Sequence, residues 1–188
     1  MHFLNLAAER FSVLQFDPRP IEQEKLADIL RAGQLAPTAC NNQPQRILVL
    51  TGAARIAQLQ EVTHCKLPFA AALLVCYDKT ECWVRPCDGK PSGDIDASIV
   101  TTHMMMEATE LGLGSIWVMS WNPDEMRDAF AIPARFEPVS LLILGYRASN
   151  AKPRPGHLSR KALQQTVFWD SGVVQCKCSR KFPKNLLN

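Results

Sequence analysis

No hydrophobic run in this 188-residue sequence reaches the roughly 20 residues that span a bilayer; the most apolar stretch, residues 67–77, is about half that length. Glycine is sparse, and neither Gly-x-Gly-x-x-Gly nor Gly-x-x-x-x-Gly-Lys-Ser/Thr occurs, which excludes a Rossmann dinucleotide turn and a P-loop. Gly112-Leu113-Gly114 follows a helical stretch and reads as its C-cap and a tight turn. Charge of one sign is lacking too: 21 Lys and Arg against 18 Asp and Glu leave +3, too weak a field to argue for nucleic acid. No Ser-His-Asp or Cys-His signature is present, and Asp94 and Asp96 read as charges suited to the positive end of a helix. There is no internal repeat and no linker. Glu9 and Arg10 stand where a secretory signal would be apolar, so a soluble, cytoplasmic protein with no membrane or nucleic-acid partner is expected.

The seven cysteines are odd in number and, in that compartment, are expected to be free thiols. His64-Cys65, Cys82 and Cys87 lack a matched second pair, as do Cys176 and Cys178, so no metal site is expected. Cys76 falls in an apolar run and reads as core. The methionines at 104–106, beside His103, read as packing or as a pliable wall beside a ring.

Periodicity predicts helices over residues 1–10, 21–32, 53–63 and 94–111, and another opened by Asn122-Pro123 as N-cap and first residue. Strands are predicted over 46–51, 70–77, 115–119 and 138–145; the second is apolar on both faces. Residues 147–161 read as an extended, basic arm. The pattern predicts an α+β domain around one mostly antiparallel sheet of four to five strands flanked by helices, covering residues 1–169, with an atypical tail at 170–188.

Two constellations could carry chemistry. Arg10 and Ser12 at one end, and Arg160 and Lys161 at the other, supply guanidinium, hydroxyl and ammonium groups that can together hold a phosphate, or that taken singly are ordinary surface charges. The loop at 37–44, Pro-Thr-Ala-Cys-Asn-Asn-Gln-Pro, is dense in amides and hydroxyls that can read the edge of a heteroaromatic ring, or simply make a surface turn.

Together these segments resemble the nitroreductase family of FMN-dependent oxidoreductases. Arg10-Phe11-Ser12-Val13-Leu14-Gln15-Phe16 is similar to the family's R-R-S-x-R-x-F opening, and residues 36–44 to its A-P-S-x-x-N-x-Q-P loop. Residues 96–117 resemble its central helix and G-L-G-[ST]-x-W ending; Leu144-Gly145-Tyr146 and Ser159-Arg160-Lys161-Ala162-Leu163 resemble its closing L-G-Y-P and R-K-P-L. The resemblance implies an intertwined homodimer with FMN at the interface and NADH or NADPH as co-substrate. Hydride would pass to flavin N5, then to a small acceptor such as a nitroaromatic, quinone or enone, by a ping-pong mechanism. No side chain would act as catalyst. It implies cofactor contacts from Arg10, Phe11, Ser12, Arg160 and Lys161, from Pro37, Thr38, Ala39, Asn41 and Gln43 of the second subunit, and from Gly114, Ser115, Ile116 and Trp117.

Three positions depart from the pattern. Phe11 replaces an arginine, Gln45 a tryptophan, and Leu14 the basic residue that in relatives lies near the flavin pyrimidine edge, leaving Arg46 or Lys66 as candidate replacements. The rival readings are a specialised flavin reaction on this fold, reductive dehalogenation or flavin fragmentation, and a cysteine-based redox or metal sensor.

Overall fold

The computed structural model describes residues 2–63 and 65–169. The chain divides into two compact units, Met1–Arg154 and Pro155–Asn188. The expected tail at 170–188, with Cys176 and Cys178, and His64 lie outside the described residues.

In the first unit, helices α1 (Phe3–Glu9), α2 (Gln23–Gln34), α3 (Ala53–Glu61), α4 (Gly93–Glu110) and α5 (Pro123–Phe130) surround a five-stranded sheet. Its strands are β1 (Phe16–Asp17), β2 (Gln45–Leu50), β3 (Ala71–Asp78), β4 (Gly114–Val118) and β5 (Phe136–Arg147). All strand pairs are antiparallel: β2 beside β3, β3 beside β5, and both β4 and β1 on the far side of β5. The fold is thus α+β, as the sequence predicts. The five strands fall within the expected four to five, and β1 is the one for which no range is predicted. β1 is two residues long, too short to register as a period-2 pattern, yet it pairs Phe16 with Arg147 and Asp17 with Tyr146. That pairing extends β5 to Arg147, so this residue ends a strand and does not open the basic arm.

All eight residues of β3 are buried, because both its faces are covered. Ala71, Leu73 and Val75 face a layer built from Ile29 of α2 and Val100, Met104 and Ala108 of α4; Ala72, Leu74 and Cys76 face one built from Leu59 of α3 and Met126 of α5. Met104 is fully buried, as core methionine, while His103 is exposed. At the end of α4, Gly112 takes φ +76° and the Leu113 N–H donates to Ala108 C=O at 2.8 Å, the C-cap that the glycine predicts. Asn122 caps α5 by accepting from the Asp124 N–H at 2.9 Å.

The second unit, described to Trp169, holds one 3₁₀ turn at Leu163–Gln165.

Candidate functional site

The N-terminal segment and the start of β4 form one surface. α1 ends at Arg10, whose N–H donates to Leu6 C=O, and the chain then runs extended. In an extended chain side chains alternate: Phe11 and Val13 are buried in the core, which turns half-buried Arg10 and exposed Ser12 the other way. The Val13 N–H donates to Ser115 C=O at 2.9 Å, and Ser12 pairs with Ser115 in a parallel bridge. The structure therefore brings Arg10 and Ser12 beside Gly114 and Ser115, segments a hundred residues apart. A Cβ on Gly114 would stand 2.8 Å from Val13 Cγ2 and 3.0 Å from Arg147 Cγ, so glycine is needed here for packing. Ser115 is buried and its Oγ has no hydrogen-bond partner among the described residues, a cost a native fold accepts where a further polar group completes the site. Ile116 and Trp117 follow on β4, half-buried; Trp117 Nε1 donates to Met119 Sδ at 3.0 Å.

The amide-rich loop is a second surface. It turns through a 3₁₀ segment at Ala39–Asn41, with Cys40, Asn41 and Gln43 all near φ +50° to +55°. Each left-handed non-glycine residue costs about 1–2 kcal/mol, so the loop must be held from outside. The Gln43 N–H donates to Thr38 Oγ1 at 3.0 Å, and Asn42 Nδ2 donates to Glu81 C=O at 3.0 Å. The Ala39 N–H donates to Asp96 Oδ1 at 2.9 Å, while the Ser92 hydroxyl donates to Asp96 Oδ2 at 2.7 Å. Asp96 is 2% exposed. It lies in the first turn of α4, as its reading as a helix-start charge expects, and in addition ties the loop to the head of that helix. Pro37 and residues 40–43 remain exposed.

These two surfaces lie at opposite ends of the sheet. Ser115 pairs with Leu144 near the end of β5, whereas Gln45, next to the loop, pairs with Tyr77, which pairs with Glu137 near its start. Seven residues of strand rise and three strand spacings separate them by about 23 Å along the strands and about 14 Å across.

Both candidate replacement cations are engaged. Arg46 meets Glu81 Oε2 at 2.5 Å and Asp78 Oδ2 at 3.7 Å, and Lys66 Nζ donates to Gln60 C=O. Hydrogen bonds from the Thr80 hydroxyl and N–H, joined by Arg135 and Arg46, hold Asp78 below the usual carboxylate range. In the second unit, Arg160 Nη1 donates to His157 C=O and Ser159 C=O at 2.5 and 2.8 Å; Arg160 and Lys161 are exposed. Among the cysteines, Cys40 and Cys87 are exposed and Cys65 and Cys76 buried. Burial pushes the Cys76 thiol up to about 12 and the Cys82 thiol upward as well.

A family model described as the nitroreductase family matches residues 7–75 and 66–146. A crystal structure of a nitroreductase family protein from Clostridium difficile superimposes with a TM-score of 0.86 at 40% identity, covering 91% of this chain and 99% of that one. A protein of Archaeoglobus fulgidus, provisionally named NADH dehydrogenase/NAD(P)H nitroreductase, is 29% identical over 76% of this chain and 84% of its own. The FMN reductase [NAD(P)H] of Bacillus subtilis is 24% identical over 77% of this chain and 65% of its own.

Proposed function

The chain belongs to the nitroreductase family, and from that premise we propose how its surfaces serve an FMN-dependent NAD(P)H oxidoreductase. The observation that carries the reading is the clustering on one surface of Arg10, Ser12 and the buried Ser115 hydroxyl, which has no partner among the described residues. Those groups suit a phosphorylated, hydroxyl-bearing ligand, and Ser115 gains the partner it lacks. When bound, FMN supplies a ring that accepts a hydride at N5 from NADH or NADPH and delivers it to a second small acceptor.

The residues bind and orient. Arg10 and Ser12 hold the phosphate end, and Phe11 fixes the segment in the core. Gly114, Ser115, Ile116 and Trp117 line the ring. The 37–43 loop, through Pro37, Thr38, Ala39, Asn41 and Gln43, meets the ring of the other subunit. A separation of roughly 25 Å within one chain supports that division between two copies. The outward side of α4 adds a smaller point: it is mostly polar, with Asp94, Thr102 and His103, but carries Ile95 at 55% exposure, an apolar group that a second copy would cover. The acceptor is a nitroaromatic, quinone or enone, and donor and acceptor use one slot in turn.

Against a thiol sensor built on Cys65, Cys82 and Cys87 stand the raised Cys82 thiol, since a reactive cysteine needs a lowered value, and the burial of Cys65. Residues 83–92 form a small self-bonded hairpin with a Val84–Pro91 bridge and an Arg85–Asp88 ion pair, which favours general reduction over a reaction needing a large lid.

Mass spectrometry of the flavin released on denaturation tests the reading. FMN is expected; FAD, or no flavin after reconstitution, contradicts it. Parallel double-reciprocal lines with NAD(P)H and a quinone would support the shared slot, and intersecting lines would refute it.

A further inference from the structure

Arg10, assigned to the phosphate above, has an acidic neighbour. Glu9 adjoins it in the chain, and a carboxylate there opposes a phosphate dianion. The structure pairs that carboxylate with Arg147: Nη1 stands 3.6 Å from Glu9 Oε1. The same guanidinium lies 5.2 Å from the centre of the Phe11 ring, and Nη2 donates to Leu113 C=O at 3.4 Å. Its Cγ would be 3.0 Å from a Cβ on Gly114. One side chain thus touches the residues on both sides of Arg10 and those that lead into Ser115. Arg147 Nε is buried with no hydrogen-bond partner among the described residues. An arginine kept for stability alone would satisfy that group, because an orphaned buried donor is costly. The contacts at 3.4 and 3.6 Å are also too long to make a strong brace.

We propose that Arg147 is a positioning residue for the phosphate end of the site: it neutralises Glu9 and so keeps the Arg10–Ser12 surface receptive to a dianion. The proposal rests on the assignment of Arg10 to the FMN phosphate. Its consequence is selectivity between flavins, because riboflavin lacks the phosphate and is indifferent to Glu9.

The test is fluorescence titration of the full-length apoprotein with FMN and with riboflavin. The wild type prefers FMN. Arg147→Met keeps an apolar stem against Gly114 and removes the charge; FMN binding weakens about threefold to tenfold, with riboflavin unchanged. Adding Glu9→Gln to Arg147→Met restores the preference, which loss of a structural brace would not allow. Arg147→Lys retains most of it. Glu9→Gln alone keeps or raises the preference and reads out the same idea if Arg147→Met folds poorly. The proposal is overturned by an undiminished preference in Arg147→Met, by failure of Glu9→Gln to restore it, or by a fall in Glu9→Gln alone. A wild type with no preference overturns the phosphate assignment itself, an outcome distinct from the other three.

Discussion

A carboxylate as buried as Asp96 must have its oxygens satisfied, and here one partner is the backbone of the strained 37–43 loop. Asp96→Ala should therefore cost about 1–3 kcal/mol and release the loop, while Asp96→Asn, which keeps an acceptor for the Ala39 N–H, should lose less. Urea midpoints of the two variants check the order, and equal losses would contradict it. Cys76 gives a second prediction at this scale. With a folded value of about 12, it stays neutral while the unfolded thiol ionises above about 8.5. Its contribution is complete below the unfolded value and is lost as pH rises toward the folded one. Cys76→Ala or Cys76→Val should flatten the alkaline limb of stability between those limits. Neither Asp96 nor Arg147 was legible as a site residue in the sequence. An acid near a helix start looks the same whether it faces water or a loop 57 residues earlier, and Arg147 enters a strand only because a two-residue β1 pairs with it.

The elements themselves were largely legible. The caps at Asn122 and Gly112 and the doubly buried β3 stand where composition puts them, because turn chemistry and burial on two faces leave local traces. The loop at 37–43 was legible only in its composition. Asn41 hints at a left-handed conformation, whereas the positive φ of Cys40 and Gln43 is imposed by Asp96 and Thr38 from outside the local sequence. The head of α4 was legible as a start but not as a packing site. A Cβ on Gly93 would lie 2.2 Å from two atoms of the Tyr77 ring, so Gly93→Ala must displace a rigid aromatic. Overpacking of this kind costs about 1–3 kcal/mol. Calorimetry should show Tm lower by at least about 2 °C, and an unchanged Tm would mean that α4 is not pinned against β3 at this point.

At the scale of the whole sheet, one end holds a charged cluster in which Arg46, Arg135 and Thr80 surround the fully buried Asp78. Because its folded value is lowered, Asp78 stabilises the protein above the ordinary carboxylate value near 4, and that contribution is lost as pH falls through the folded value. Asp78→Asn should flatten the acid limb of the urea midpoint, and a limb as steep as that of the wild type would contradict this. At this same end the 37–43 loop is presented, and at the other end Arg10, Ser12 and Ser115. A flavin touching both must draw on two chains. Hybrid dimers test this directly. One chain carries Arg10→Ala, the other Asn41→Ala with Asp96→Ala, and each homodimer alone should hold little FMN. Refolded together, the account predicts that about a quarter of all sites regain wild-type FMN affinity, because each hybrid dimer contains one site with both halves intact. If each site belongs to a single chain, every site in the mixture carries a defect, and FMN binding would stay at the level of the separate variants.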